Sequence, residues 1–179
     1  MNTEIDKLNF TQNLLRKFEA EDVVNTTYKK GDILTAEGQI ENNLYFIEDG
    51  AVKVYYQSEL GENIIRLGYN GSILNSLSSF FNRQPSELFI EAIRETKVKI
   101  LKRSVIIDIK ANSLGYSEFL ENVLIQQLER EIDLLHDSPS QRLERVLKRS
   151  PHLFQFIPLK YIASYLRMSP ETLSRIRNS

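Results

Sequence analysis

The chain begins with apolar residues at helical spacing and then changes to short β-rich runs. Within Met1–Glu21, residues such as Ile5, Leu8 and Leu15 recur every three or four positions, which predicts a helix. Between Tyr28 and Leu101, glycine or polar turns separate runs at Asp32–Leu34, Leu44–Ile47, Ala51–Tyr56, Ile64–Leu67, Leu88–Ile93 and Val98–Leu101. Strands at such regular spacing predict an antiparallel barrel or roll.

Helical periodicity returns after the β-rich stretch. Ser104–Lys110 is predicted as a short helix and Ser117–Asp137 as a long one. The long helix carries an a/d-type seam at 3–4–3 spacing, formed by Ile125, Leu128, Ile132 and Leu135. This seam would fit packing on the chain's own barrel or on a partner helix. Charged residues flank this seam, so the apolar stripe is narrow. A narrow stripe favours packing against a partner helix. Asp133, like the many glutamates, is interpreted as ordinary solubilising charge.

A new helix is predicted to begin at Ser138-Pro139. Serine is a preferred N-cap, and proline suits the first helical position because its missing N–H has no partner there. Leu143, Val146 and Leu147 form the expected buried face of this helix. We therefore place a domain boundary between Asp137 and Ser138.

The segment Leu159–Asn178 has the pattern of a helix-turn-helix. Ile162, Ala163 and Leu166 form one apolar face, and Leu173 and Ile176 form a second. Between these faces, Arg167-Met168-Ser169 break the helix, and Pro170 begins the next one with Ser169 as its cap. Small Ala163 would allow the two short helices to approach closely, as in DNA-binding units of this kind.

The charge distribution supports a polyanionic partner for this end of the chain. The net charge is −1, but residues 138–179 carry eight basic and two acidic residues, a balance of +6, which leaves −7 on residues 1–137. A solvated basic face is the alternative interpretation of the charge alone. Together, the positive charge and the helix-turn-helix pattern predict DNA contacts by base-reading or phosphate-binding side chains. The candidates are Lys160, Ser169, Glu171, Thr172, Ser174, Arg175 and Arg177.

Composition narrows the function further. The absence of cysteine excludes disulfides, thiolate metal sites and Cys-ligated iron–sulfur clusters. No apolar run approaches the ~20 residues of a membrane span, so we expect a soluble, cytoplasmic protein without a membrane partner. No nucleophile elbow, phosphate loop or metal-binding helix motif is present, and there are two histidines. We therefore expect no enzyme activity, no catalytic or metal-ligating residues and no cofactor.

The order of roll, long helix and helix-turn-helix resembles the catabolite activator protein/Crp–Fnr family of transcription regulators. The most specific matches are PLKYIASYLRMSPETLSRIR at Pro158–Arg177 and the roll segments YKKGDILTAEGQ and LYFIEDGAVKVYY. The resemblance implies an α+β chain: an antiparallel β-roll of cyclic-nucleotide-binding (jelly-roll) type with flanking helices, a long dimerisation helix and a small helix-turn-helix domain. We accordingly divide the chain into a sensor roll (1–116), a dimerisation helix (117–137) and a DNA-binding domain (138–179).

The same resemblance locates an effector cassette in the roll. Members that bind cyclic nucleotides have G-x-x-x-x-E-L followed by R-S, in which Glu holds the ribose and Arg neutralises the cyclic phosphate. The residues at those positions are Gly71, Ser76, Leu77, Ser86 and Glu87. Because the Glu and the Arg are both replaced, we predict no tight binding of cyclic AMP. Arg83 could supply the charge only if the loop shifted register.

The region around the cassette contains three phenylalanines, Phe80, Phe81 and Phe89. They would serve core packing or line a site for a neutral or aromatic effector, and core packing is the safer interpretation. The effector therefore remains unassigned.

The resemblance implies a homodimer that binds a near-palindromic operator, with RNA polymerase as a candidate further partner. The seam residues of the long helix would form the dimer interface, and an unknown small molecule would be the effector. Two departures concern the DNA end. Arg167 stands where many relatives have glycine in the turn, and the β-wing of many relatives does not follow the second helix. The alternative is a ligand-sensing or protein-interaction module whose shortened helix-turn-helix no longer reads DNA.

Overall fold

The computed structural model of the chain describes Leu14, Glu19, residues 23–112 and residues 116–178. The helix predicted over Met1–Glu21 lies almost wholly outside these residues. Of that segment, Leu14 is buried in a cluster with Val23, Leu44 and Phe80.

Eight strands form the β-rich part of the chain. They are β1 (Val24–Tyr28), β2 (Ile33–Thr35), β3 (Asn43–Asp49), β4 (Ala51–Ser58), β5 (Gly61–Tyr69), β6 (Ile73–Leu74), β7 (Phe89–Ala92) and β8 (Thr96–Lys102). Six of them coincide with the runs that the sequence indicates. The pattern did not indicate β1, whose sequence VNTTY is half polar, or β6, which has two residues.

The strands pair into two antiparallel sheets of four, in the orders β1-β8-β3-β6 and β2-β7-β4-β5. Their facing sides enclose one apolar core, which contains Tyr45, Ile47, Val52, Val54, Leu74, Ile90, Val98 and Ile100. The tight β3–β4 turn requires glycine, because Gly50 has φ +106° and an added Cβ would lie 2.5 Å from the Glu95 carbonyl oxygen. The antiparallel roll predicted from the sequence is confirmed.

Seven helices occur within the described residues. They are α1 (Leu77–Asn82), α2 (Arg103–Asn112), α3 (Tyr116–Leu135), α4 (Pro139–Arg149), α5 (Leu153–Phe156), α6 (Leu159–Tyr165) and α7 (Pro170–Arg177). The long helix α3 ends at Leu135, and Ser138 is the N-cap of α4 with Pro139 in its first turn. None of these helices is both long and apolar enough to cross a membrane.

The C-terminal helices share a core with the outer face of the roll. Buried Leu143, Val146, Ile162, Leu166 and Leu173 form one cluster with buried residues of the roll, namely Ala51 and Ile93. The ring of Tyr69 on β5 stacks on Phe156, with 5.1 Å between the ring centroids. The helix-turn-helix segment is therefore packed against the roll of its own chain, an arrangement that the local sequence pattern did not indicate.

Candidate DNA-binding face and effector cassette

The turn between α6 and α7 has the geometry of a helix-turn-helix. Ile162, Ala163, Leu166 and Leu173 are fully buried, so the two helices pack face to face. The backbone N–H of Met168 donates to the carbonyl of Ala163 over 3.0 Å and closes the end of α6. Ala163 is buried in the same cluster as Leu173 of α7.

The N-terminus of α7 is capped as predicted. The hydroxyl of Ser169 accepts a hydrogen bond from the backbone N–H of Thr172 over 3.1 Å. Glu171 lies in the first turn, where hydrogen bonds from its own backbone N–H and from the Ser169 hydroxyl lower the pKa of its carboxyl group. These bonds anchor the Glu171 side chain at the start of the helix.

The outward face of α7 is polar and accessible. Glu171, Arg175 and Arg177 are exposed, while Thr172 and Ser174 are half-buried. A shallow depression is lined by Glu171, Ser174 and Arg175 together with the ends of the helix. Within the described residues, Glu171 and Arg175 form no ion pair with each other.

Two further basic residues of the predicted DNA face stack on aromatic rings. The Arg177 guanidinium lies 5.6 Å from the ring centroid of Phe154, and the Lys160 ammonium lies 4.7 Å from that of Tyr161. Lys160 remains exposed on α6. Stacking restricts both long side chains while their charges stay at the surface.

The turn residue Arg167 adopts the left-handed backbone conformation that glycine favours, with φ +55°. Its guanidinium donates to the Asn63 side-chain oxygen on β5 over 2.6 Å. With arginine at this position, the turn adopts the left-handed conformation and has a contact to the roll.

Of the cassette positions predicted from the resemblance, Ser76 and Ser86 lie together and form a neutral pair. The hydroxyls of Ser76 and Ser86 are 2.8 Å apart, and both side chains are buried. Ser86 also donates to the Leu88 carbonyl over 2.9 Å and accepts from the Leu88 N–H over 3.0 Å. Since its proton goes to Leu88, Ser76 is the donor of the pair. The hydroxyl of Ser86 thus has all its partners within the protein.

The other cassette residues leave no cation facing this pair. Gly71 forms a turn with φ +83°, Leu77 begins α1, and the side chain of Glu87 is exposed. Arg83 is exposed at the left-handed end of α1, where it donates to the side chain of Asn42.

The three phenylalanines near the cassette each contact another aromatic ring, and Phe81 remains 39% exposed. Phe80 is buried and meets the edge of Phe81 at a centroid distance of 5.4 Å. Phe89 stacks on Tyr55, with centroids 5.2 Å apart.

Asp133 corrects one sequence interpretation. Its carboxylate is fully buried rather than solubilising. Arg145 Nε donates to it over 2.8 Å, Arg149 forms a second hydrogen-bonded ion pair with it, and Glu129 accepts from Arg145 over 2.6 Å. This four-residue cluster joins α3 to α4. In the sequence, Asp133 cannot be distinguished from the other charged residues of this helix, so its burial could not be predicted.

Lys53 is a second residue that the sequence analysis missed. Only 3% of its side chain is exposed, in the middle of β4, where it pairs with Glu62 and Glu91 and lies 5.4 Å from the ring centroid of Tyr161 on α6. Burial alone would lower the pKa of Lys53, but hydrogen bonds to the two carboxylates raise it. Strand alternation would place Lys53 on the outer face of β4, but all five residues from Ala51 to Tyr55 are buried. The sequence pattern therefore does not reveal that Lys53 is buried.

Comparison with known proteins agrees with this architecture. Residues 25–113 match the cyclic nucleotide-binding domain model. No curated protein matches the chain in sequence. Among solved structures, FixK2 from Bradyrhizobium japonicum shares 21% identity at TM-score 0.68, with 87% of this chain and 83% of that one covered.

Two other regulators show the same likeness. The Thermus thermophilus catabolite activator protein shares 20% identity at TM-score 0.57, over 94% of this chain and 81% of that one. A CooA variant from Carboxydothermus hydrogenoformans shares 19% identity at TM-score 0.65, over 92% of this chain and 82% of that one. The chain therefore carries a cyclic nucleotide-binding domain and has, over nearly its whole length, the fold of the Crp/Fnr transcription regulators.

Proposed function

We propose that this chain is a dimeric, sequence-specific DNA-binding transcription regulator of the Crp/Fnr type whose effector is not cyclic AMP. The observation that carries the proposal is the capped helix α7, which presents a polar, basic face to solvent while its apolar side is fully buried at Leu173. A short helix held in this way fits the major groove of DNA.

The proposed base-reading residues lie on that face. Arg175 is exposed and without an ion pair among the described residues, so its guanidinium is available for guanine. In this proposal, Thr172 and Ser174 would contact base edges or phosphates, and Glu171 would accept a hydrogen bond from cytosine. Lys160, Ser169 and Arg177 would contact the phosphate backbone, which positions the helix without reading sequence.

The dimer is proposed from the unpartnered face of α3. The seam residues Ile125, Leu128, Ile132 and Leu135 are 56%, 49%, 43% and 80% exposed. A row of apolar side chains at this spacing is the expected surface for a second copy of the same helix. The two copies would then present their α7 helices to successive major grooves of a near-palindromic operator.

The seam is tested by Leu128→Asp, which places a charge in the middle of the proposed interface. We expect the variant to sediment as a monomer at concentrations where the wild type is a dimer. Leu60→Asp is the matched control, because Leu60 is fully exposed in the β4–β5 turn. Dimers of both variants would contradict the proposed seam.

DNA reading is tested by selection from a random duplex library at two salt concentrations, using wild type, Arg175→Ala and Arg94→Ala. Arg94 is exposed on the roll, so its loss removes the same charge away from α7. We expect wild type and Arg94→Ala to enrich one near-palindrome. Loss of a bidentate base contact should weaken operator binding by Arg175→Ala roughly 10- to 100-fold.

The alternative function, a sensing or protein-interaction module without DNA reading, predicts a different result. In that case no sequence is enriched by any of the three proteins, and Arg175→Ala leaves the affinity for a protein partner unchanged. RNA polymerase would enter as a partner only if the enriched operator supports transcription activation.

A further inference from the structure

A cavity of about 470 Å³ lies where the roll, the long helix and the C-terminal helices meet. Its walls come from β5 and the β5–β6 turn, from α3, from the end of α4 and from α6. Arg66, Asn70, Gln126, Arg130 and Tyr165 contribute polar groups to these walls. Of the five cassette positions, Gly71 lines this cavity, whereas Ser76, Leu77, Ser86 and Glu87 do not.

Arg66 enters this cavity without a counter-ion. Among the described residues its guanidinium has two hydrogen bonds, to the Ile73 carbonyl and to the Gln126 side-chain oxygen, both at 3.4 Å. These distances are at the long limit for N–H···O bonds, which cluster near ~2.9–3.0 Å. Burial lowers the pKa of Arg66, as expected for a partly desolvated cation that has no carboxylate partner among the described residues.

Arg130 is similarly under-satisfied. Its Nη1 atom is buried with no hydrogen-bond partner, while Nε and Nη2 lie 3.4 and 3.3 Å from the carbonyls of Ile65 and Ile64. Burial is the main cause that lowers the pKa of Arg130, and the charges of Arg167 and Arg149 lower it too, while Tyr165 and Asp133 act in the opposite direction. The guanidinium lies 3.8 Å from the ring centroid of Tyr165 on α6, so it is held in place by stacking.

Among the described residues, the nearby carboxylates form no ion pair with these two cations. Asp133 is committed to Arg145 and Arg149, and Glu129 accepts from the same two arginines. A charge removed from water without a partner is costly, so retained cations of this kind indicate that an anion completes the site.

We propose that this cavity binds a small molecule bearing a phosphate group, with Arg66 and Arg130 as its anion-binding residues. Two guanidiniums match the charge of ~−1.5 to −2 on a phosphate monoester, and their planar forks suit its oxygens. The volume lies in the ~300–1,000 Å³ range of small-molecule sites, and the side-chain amide nitrogen of Gln126 can donate to the remainder of the ligand.

The site also touches the helix-turn-helix. Because Arg130 stacks on Tyr165, a bound anion would hold α6 against α3 and β5. This consequence for DNA binding rests on the proposed function, whereas the binding of the anion does not.

The test is calorimetric titration of the full chain with inorganic phosphate, alongside sodium acetate and sodium chloride at matched ionic strength. We expect saturable phosphate binding of roughly millimolar affinity, since so small a probe makes few contacts. Arg66→Gln and Arg130→Gln should each weaken it at least about 10-fold, the effect of one lost charged hydrogen bond. Arg94→Gln, on the exposed surface of the roll, should bind phosphate as wild type does.

A measurement on the wild type guards against variants that fail to fold. Phosphate should protect Arg66 and Arg130, but not Arg94, from arginine-specific modification by phenylglyoxal, as read by mass spectrometry. Identical responses to phosphate and chloride, or tighter binding of acetate, would overturn the proposal. Phosphate affinity unchanged in both folded variants would overturn it as well. Each result is independent of DNA, so failure of the DNA selection alone leaves the anion site standing.

Discussion

The cassette in the roll and the cavity at the junction with the C-terminal helices handle buried polar groups in opposite ways. In the cassette, two serine hydroxyls satisfy each other and the backbone of Leu88. In the junction cavity, two guanidiniums retain long hydrogen bonds, and one buried nitrogen has none among the described residues. The serine pair is matched internally and needs no ligand, whereas the leftover guanidinium donors of the cavity favour an anion.

The comparison also separates two kinds of charged contact at the junction. Asp133 with Arg145 and Arg149 is a completed ion cluster, while Arg66 and Arg130 lack an anion. The ion cluster of Asp133 should therefore stabilise the fold, whereas Arg66 and Arg130 should bind an anion. The predictions below test that division.

The largest effect is expected for Asp133→Asn. Removing this buried charge leaves Glu129 as the remaining carboxylate shared by Arg145 and Arg149, so the free energy of unfolding should fall by about 2–3 kcal/mol. This is less than the ~3–5 kcal/mol for fully buried pairs because both arginines remain about a third exposed. Urea denaturation measures it. The matched control is Glu144→Gln on α4, whose exposed pair with Lys148 should leave stability unchanged. Equal stability of both variants would show that the cluster is not structural.

An intermediate effect is expected in the cassette for Ser86→Ala. The substitution removes a buried hydroxyl and leaves the Leu88 carbonyl and Ser76 short of a partner, which should cost ~1–2 kcal/mol in the free energy of unfolding. Thermal and urea unfolding measure it, with Ser78→Ala on the exposed side of α1 as control. A stabilising effect would mean that the cassette is not internally satisfied.

The smallest effect is expected for cyclic AMP, which should produce no saturable heat when titrated into the wild-type chain. The cassette has serine at both ligand-binding positions, and the Arg83 guanidinium is bonded to Asn42 instead. Micromolar affinity would contradict this prediction and reverse the contrast between cassette and cavity. Loss of that affinity in Ser86→Ala, but not in Arg66→Gln, would then locate the ligand in the cassette.

Local features of the fold were predictable because their causes are local. The cap at Ser169, the start of α4 at Ser138-Pro139 and the turn at Gly50 depend on residues within a few positions of each other. The polar face of α7 was likewise visible in the spacing of Leu173 and Ile176. The short strands β1 and β6 were missed because neighbouring strands, rather than their own pattern, hold them in the sheets.

The sequence by itself determined the order of the elements and the capped helix-turn-helix, since periodicity and capping residues carry these directly. That Ser86 stands where a cassette arginine is expected follows from the resemblance to the family. Only the tertiary structure decided that Asp133 and Lys53 are buried, that Arg167 bonds to Asn63, and that Arg66 and Arg130 enter one cavity. The reason is physical: burial and ion pairing join residues up to 104 positions apart, and no local pattern specifies which distant groups will share a space from which water is excluded.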